Sequence, residues 1–441
     1  MKNQKIECKC TDMTVDGLGI CKYDSLVIFV KQMLIDEVAI VKIISHKKNL
    51  AYGIIDTMIK PSKYRIASPC KVAYKCGGCD LRHVDYNYGL KLKRDILDST
   101  MNKMAKLDVK VKDITPSPLI DGYRNKVQIP VKERGIGFYR KNSNDIVEFD
   151  KCFVQSEIEN KILNRLKELI KEYSLSEYLR HIIIKESYGT KEVMVALVTK
   201  TFNLPHINTL VAMMVEEFPM IKSFILNLKH GDDNVVLGDE EKVLYGSSYI
   251  IDSFGGIEVA ISLKSFYQVN HGQMLNLYTK VLNLANVDSN TKVLDLFSGI
   301  GTISLFMAKH VKEVTGVEIV REAVDDAKQN AKMNGITNAK FYLGDAKDGL
   351  DKYLLDKDIV IVDPPRKGLN IEVIDKIAQH DIAKVVYVSC NPATLARDLQ
   401  IFKEKGYSFD TIYPYDMFPH TMHVETVCLL SRLKTKEHIL E

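Results

Sequence analysis

Four places in this chain carry residue types at spacings that suit chemistry. Ser389-Cys390-Asn391-Pro392 sets a thiol at the end of an apolar run, and Asp363-Pro364-Pro365-Arg366 sets a carboxylate at the end of another. His423-Val424-Glu425-Thr426 carries a carboxylate within a stretch that is otherwise apolar (Val424, Val427, Leu429, Leu430). Far upstream, Cys70, Cys76 and Cys79 gather around Gly77 and Gly78. A thiolate at the carboxyl end of a parallel strand is placed to act as a nucleophile. Most cysteines only pack, but polar neighbours and the following proline put Cys390 at a rim. The paired prolines stiffen the loop after Asp363 and fix its direction. Glu425 reads equally well as a general base or as an edge-strand glutamate. His420 and His423 have no further nearby ligands and read as polar loop groups rather than a metal site.

The elements that must position these groups follow residue 266 or so, where strands and helical stretches alternate strictly. Strands are expected at Lys292–Leu296, Glu313–Val317, Lys340–Leu343, Ile359–Val362 and Val385–Val388, then Phe409–Tyr413 and Val424–Leu430. That rhythm predicts an α/β fold with a mostly parallel, doubly wound sheet. Its first strand runs into Asp295-Leu296-Phe297-Ser298-Gly299-Ile300-Gly301, where the glycines let the backbone turn sharply and approach a ligand. The second ends in Gly316-Val317-Glu318, a carboxylate placed to accept from ribose hydroxyls. A dinucleotide site would want a third glycine where Ser304 stands, so S-adenosylmethionine is the favoured cofactor. Asp345, after the third strand, is either an adenine-side contact or a helix cap.

A thiolate beside a methyl donor has a specific use. Carbon 5 of a pyrimidine is a poor nucleophile. Thiolate addition at carbon 6 makes an enolate whose carbon 5 can attack a methyl group, and a base must then remove the carbon 5 proton. Cys390 and Glu425 fit those two roles. After Asp-Pro-Pro, amino-group methyltransferases usually carry an aromatic residue, where this chain has Arg366. A cytosine-directed enzyme would normally show another cysteine near Asp363, and none is there.

The chain of 441 residues is long enough for two or three domains. Residues 1 to about 60 read as a small β-barrel or sandwich, with strands at Leu26–Val30, Glu37–Ile44 and Ala51–Ile55. Helices are expected over 85–107 and 155–173. An α+β pattern fills 180–262, with strands at Ile182–Ile184, Val193–Val198 and Ser223–Leu226 and a helix near Ile207–Glu217. The net charge of +4 is too small to imply a nucleic-acid partner, but local charge is informative. Lys60 to Lys75 holds five basic residues and no acidic one, and Tyr123 to Lys141 holds six against Glu133 alone. Tyr123, Phe138 and Tyr139 are interleaved with the second group, a pattern that suits looped or single-stranded RNA. A polar, lysine-bearing start without an apolar run, and no stretch of 18 apolar residues, point to a cytoplasmic protein.

Nine cysteines without a secretion signal point to reduced thiols. Cys76 and Cys79 have the spacing of a zinc half-site. With Cys70 six residues earlier and Cys152 as a distant fourth ligand, the set fits an iron–sulfur cubane better. The three-cysteine spacing of radical S-adenosylmethionine enzymes is absent.

Ser265-Phe266-Tyr267-Gln268-Val269-Asn270, the Asp295–Gly301 loop, Asp363-Pro364-Pro365-Arg366, Ser389-Cys390-Asn391-Pro392 and His423-Val424-Glu425 together resemble the RNA uracil-C5 methyltransferases, which make 5-methyluridine. The resemblance implies that Gln268, Phe297, Glu318 and Asp363 bind S-adenosylmethionine, with Cys390 as nucleophile and Glu425 as base. Thr302 stands where some members have Asn. The segment from Asp16 to Ile55 resembles the RNA-binding barrel called TRAM, carried by several ribosomal-RNA members. Related enzymes carry a [4Fe-4S] cluster on the cysteine pattern, so a structural cluster on Cys70, Cys76, Cys79 and Cys152 is implied. The expected organisation is a TRAM-like barrel over 1–60, a central iron–sulfur and RNA-binding region over 61–265, and a Rossmann-like methyltransferase domain over 266–441. Helix 85–107 is expected to pack on the last of these. The expected activity is S-adenosylmethionine-dependent methylation of a uridine in 23S ribosomal RNA by a monomer. A transfer-RNA enzyme, or an RNA-binding protein with a vestigial catalytic domain, is the alternative.

Overall fold

The computed structural model describes residues 2–433 apart from 232, 234 and 381, so the expected extension of the last domain over 434–441 lies outside the described residues. Alternation of inward apolar and outward polar residues builds the first unit. β1 (Lys5–Met13), β2 (Leu18–Tyr23), β3 (Leu26–Lys31), β4 (Val38–Lys47) and β5 (Leu50–Lys60) close into a barrel in the order β1-β2-β3-β5-β4. Closure leaves no open sheet edge. Cys8, Cys10 and Cys21 point inward with Ile28, Val30 and Val41. The sequence shows only the last three strands, because cysteines occupy inward positions of β1 and β2 and carry little strand signal.

The chain then passes the clustered cysteines and enters α1 (Tyr86–Asp98), whose cap Asp85 accepts from the Tyr88 amide. The helical stretch expected over 85–107 is realised over 86–104, in two parts. The coil widens into a π turn over Ser99–Met104, where Thr100 donates to the Ile96 carbonyl and Asn102 binds both backbone groups of Val109. Such side-chain bonds compete with the regular helical ladder. Leu97 and Met101 pack among Leu294, Leu296 and Val360, and β6 (Lys110–Val111) adds to the edge of the last sheet.

β7 (Lys126–Lys132), β8 (Gly135–Tyr139) and β9 (Ile146–Glu148) precede α2 (Glu157–Glu172), whose start carries a Ser156–Glu159 capping box. β10 (Leu179–Glu186), β11 (Val193–Thr199), α3 (Ile207–Glu217), β12 (Ile221–Leu228) and β13 (Glu240–Gly246) complete a seven-stranded sheet, ordered β13-β12-β11-β10-β7-β8-β9. All of β11 is buried because both sheet faces are covered. One face meets α2 and α3. On the other, Ile183, Met194 and Val198 share a core with Val293, Val314 and Ile361, so packing is continuous across residue 265.

The hairpin β14 (Tyr249–Phe254) and β15 (Ile257–Ser262) leads to α4 (His271–Ala285) and the alternating region. There follow β16 (Lys292–Leu296), α5 (Thr302–Ala308), β17 (Glu313–Glu318), α6 (Arg321–Met333), β18 (Ala339–Leu343), α7 (Ala346–Tyr353), β19 (Ile359–Val362), α8 (Ile371–Gln379), β20 (Lys384–Ser389) and α9 (Pro392–Glu404). The strands from β18 to β20 run parallel in the order β18-β17-β16-β19-β20. β21 (Tyr407–Ser408) and β22 (Thr411–Tyr415) replace the single strand expected at Phe409–Tyr413, and β23 (Glu425–Arg432) pairs antiparallel with β20. This is a Rossmann-like α/β domain beside a barrel. Among the described residues no helix is long and apolar enough to cross a membrane.

Candidate active site

β16 and β19 are neighbours, yet the chain leaves one towards β17 and the other towards β20. Diverging connections open a crevice at the carboxyl ends of these strands, the usual ligand position in such sheets. Asp295, Glu318, Asp363 and Cys390 all stand at those ends. Glu425 arrives from the opposite direction. The β20–β23 register sets Ser389 against Thr426, which brings the next residues out, Cys390 and Glu425, to one end of the strand pair.

These groups feel one another's charge. Burial pushes the Cys390 thiol up to about 12, and the charges of Glu425 and Asp363 add to it while the Arg366 guanidinium pulls it down. Burial, reinforced by Asp363, holds the Glu425 carboxyl well above the ordinary range, again against Arg366. Burial alone raises Asp363 to about 7. Asp295 also reaches about 7, through burial first and then Asp363 and Glu318, although the Ser304 hydroxyl donates to it at 2.5 Å. Four acidic groups crowd together with few cations, so the site is built to receive positive charge.

The cofactor loop has the geometry its glycines predict. Gly301 sits at φ +84°, and a Cβ there would meet the Phe341 ring at 2.8 Å. Gly299 sits at φ +53°, and a Cβ there would meet nothing within 4 Å, which leaves its backbone facing open space. Phe297 adopts φ +67°, a left-handed conformation that costs a bulky residue energy and marks functional loops. Glu318 ties this loop to its strand: one oxygen accepts from the Gly299 amide at 3.0 Å, the other from the amides of Ile319 and Val320. Gln268 is buried, and its carbonyl accepts from Asn125 at 3.0 Å. Thr302 pairs with the Tyr278 hydroxyl at 2.8 Å. Asp345 caps α7 by accepting from Lys347, so the capping role is the one this geometry displays.

Cys390 also opens onto a cleft of about 760 Å³ between the barrel, the cysteine loop and α1, lined by Lys31, Tyr52, Lys141 and Arg366 among others. Asn391 donates to the Arg366 carbonyl at 2.9 Å, which fastens the loop after Asp363 to the loop after Ser389. Arg366 reaches His423 at 3.2 Å, and His420 lies 3.5 Å from Asp121, so both histidines have loop partners. Of the expected base-stacking aromatics, Tyr123 is not available and Phe138 is half-buried. Tyr123 is 1% exposed with its hydroxyl donating to the Pro419 carbonyl, and Phe138 stacks on Phe149. Packing claimed the Tyr123 ring, which a sequence pattern of aromatics among cations does not reveal.

Residues 257–433 match the family described as tRNA (uracil-5-)-methyltransferase. An uncharacterized RNA methyltransferase of Bacillus cereus (strain ATCC 10987) is 41% identical, over 98% of each chain. The chain belongs to the tRNA (uracil-5-)-methyltransferase family. It is thus an S-adenosylmethionine-dependent RNA methyltransferase by fold and family. An uncharacterized RNA methyltransferase of Clostridium acetobutylicum is 40% identical over 98% of each chain. The crystal structure of the Pyrococcus abyssi tRNA (uracil-54, C5)-methyltransferase in complex with S-adenosyl-L-homocysteine superposes with a TM-score of 0.79 at 30% identity, covering 96% of this chain and 99% of that one.

In this uracil-5-methyltransferase family member, a second group of thiols lies away from the crevice. Cys70, Cys76, Cys79 and Cys152 line one cavity of about 370 Å³ together with Arg82, Arg124, Lys126 and Lys151. The Cys76 sulfur accepts from the Gly78 amide at 3.3 Å. Asn160, on α2, holds Cys152 by both backbone groups. Burial raises Cys79 to about 12 and Cys152 to about 11, with neighbouring thiols adding to it. Among the described residues no group of three or more His, Cys, Asp or Glu is arranged to hold a metal ion. Sequence reasoning took Asp295 as the head of the cofactor loop and gave it no contact of its own; it is buried and accepts from the Ser304 hydroxyl. Sequence reasoning also missed the contacts of the loop before Glu425, which come from residues over 300 positions away and leave no local trace.

Proposed function

We propose that this protein methylates carbon 5 of a uridine in 23S ribosomal RNA, with Cys390 as nucleophile and Glu425 as base. The observation that carries the reading is the register of β20 and β23, which brings a thiol and a buried carboxyl to one strand end beside Asp363. S-adenosylmethionine, when bound, supplies an electrophilic methyl group. Gln268, Phe297, Glu318 and Asp363 would hold it, and Asp345 with the oxygen that its helix cap does not use, the open backbone at Gly299 leaving room. A cation among these carboxyls favours their charged forms. With the cationic cofactor bound, the Cys390 thiol gives its proton to solvent and the thiolate forms a bond to carbon 6 of the uracil; the ring electrons move towards oxygen 4, so carbon 5 becomes nucleophilic. After methylation, Glu425 takes the carbon 5 proton, the carbon 5–carbon 6 double bond re-forms, and the thiolate leaves.

A [4Fe-4S] cluster held by Cys70, Cys76, Cys79 and Cys152 would cross-link the segment between barrel and α1 to the start of α2. The fit rests on the donor set: four free thiols on one cavity, with basic side chains to balance an anionic cluster. In the division proposed, residues 1–60 and 61–265 hold RNA and 266–441 perform the chemistry, in a cytoplasmic monomer. The barrel's likeness to TRAM favours ribosomal RNA. Similarity to the Pyrococcus abyssi transfer-RNA enzyme over 99% of that chain favours a second reading, methylation of a transfer-RNA uridine. Nucleoside mapping of both RNAs from cells with and without this protein decides. Loss of 5-methyluridine from 23S RNA supports the first reading, and loss from transfer RNA alone supports the second.

A further inference from the structure

The loop between β22 and β23 ends on Glu425, and much of its anchoring comes from outside its own sheet. The amides of Asp80 and Leu81 donate to the His420 carbonyl at 2.9 and 2.8 Å. One Asp80 oxygen accepts from the Met422 amide at 3.3 Å, and the other pairs with Lys141 at 2.7 Å. Lys93 binds Asp416 at 2.6 Å and the Phe418 carbonyl at 3.1 Å, and Tyr86 donates to Asp416 at 2.8 Å. The Met422 side chain packs with Met13, Leu34 and Leu81, where barrel and cysteine segment meet. The last of these anchors along the chain is Met422, three residues before the base.

We propose that Asp80 is a positioning residue for Glu425: through Met422 and His420 it sets where that carboxylate meets the carbon 5 proton. The inference rests on the reading of Glu425 as base. It also joins the two halves of the molecule, because Asp80 directly follows Cys79. A general base acts only within hydrogen-bond reach of its proton, so a loop displaced by an ångström slows that step in particular. Asp80 borders the cleft onto which Cys390 opens, but its hydrogen bonds go to the loop before Glu425 and to Lys141, whereas thiol addition and methylation depend on β20 and the cofactor loop. The step affected is the last one, in which the carbon 5–hydrogen bond breaks, its electrons form the double bond, and sulfur departs from carbon 6. An aspartate that merely braces the fold would slow every step alike.

The experiment compares the full-length protein with Asp80→Ala and Asp80→Asn. The probes are methyl-labelled S-adenosylmethionine with 23S RNA, or transfer RNA, from cells lacking this protein. Iron content is measured throughout. For Asp80→Ala, first-turnover methylation is expected to stay within about threefold of the parent while steady-state turnover falls about 10- to 100-fold. A denaturant-stable RNA–protein adduct carrying the label accumulates. Asp80→Asn, which keeps an oxygen for the Met422 amide, restores most of the turnover. The proposal is overturned if both rates fall together, if no adduct builds up, or if Asn is as impaired as Ala. Should Asp80→Ala not fold, Asp80→Glu keeps the charge on a longer arm and is expected to show the same split at smaller amplitude. Its two rates falling together overturns the proposal as well. Absence of labelled RNA with the parent protein would instead sink the reading of the activity beneath it.

Discussion

Cys390 and the cysteines around Cys79 are the same side chain in opposite surroundings. Burial pushes Cys390 and Cys79 alike up to about 12. Cys390 then meets carboxylates, Glu425 and Asp363, with Arg366 as the opposing cation. The four upstream thiols instead share a cavity with Arg82, Arg124, Lys126 and Lys151. A third set, Cys8, Cys10 and Cys21, only fills the barrel interior. The neighbours therefore decide the chemistry. Thiols among cations suit a permanently anionic ligand set, whereas a thiol among carboxylates stays protonated until a cationic cofactor enters.

That contrast can be broken at several points. The largest effect is expected from Glu425→Gln, which removes the proposed base while leaving Cys390 with one less negative neighbour. Turnover should fall about 10²- to 10⁴-fold, with methylated RNA retained on the protein. Retention is read on a denaturing gel, and loss of methylation without retention would mean that Glu425 acts earlier. Next, Cys79→Ser should abolish iron and sulfide content and lower the melting temperature by several degrees, read by metal analysis and calorimetry. Iron content equal to the parent's would remove the cluster from the account. The smallest effect belongs to Arg366→Met. Arg366 favours the thiolate, so its loss raises the Cys390 pKa further, and the pH–rate profile should move about one unit towards alkali. Activity at neutral pH falls and recovers as pH rises. An unmoved profile would show that Arg366 does not reach the reacting thiol.

Much of the crevice was legible because the α/β alternation is a local signal. β16 and β19 occupy the predicted residues Lys292–Leu296 and Ile359–Val362, and Gly301 and Glu318 take up turn and strand-end positions as expected. What lay beyond the sequence was long-range. Tyr123 reads as a surface aromatic among cations and is buried, because its hydroxyl finds Pro419, which no local pattern announces. The π turn at Ser99–Met104 depends on Asn102 meeting Val109. The clamp on the base loop joins residues 80, 86 and 93 to 416–422, and only the folded chain brings them together.

The central claim is that Cys390 bonds to the uracil. RNA carrying 5-fluorouridine at the target has no proton at carbon 5 for the base to take, so the methylated adduct cannot resolve. Incubation with the protein and S-adenosylmethionine, followed by proteolysis and mass spectrometry, should find the nucleotide on the peptide that contains Cys390, and Cys390→Ala should give none. A nucleotide attached to another residue, or equal trapping by Cys390→Ala, would contradict the account.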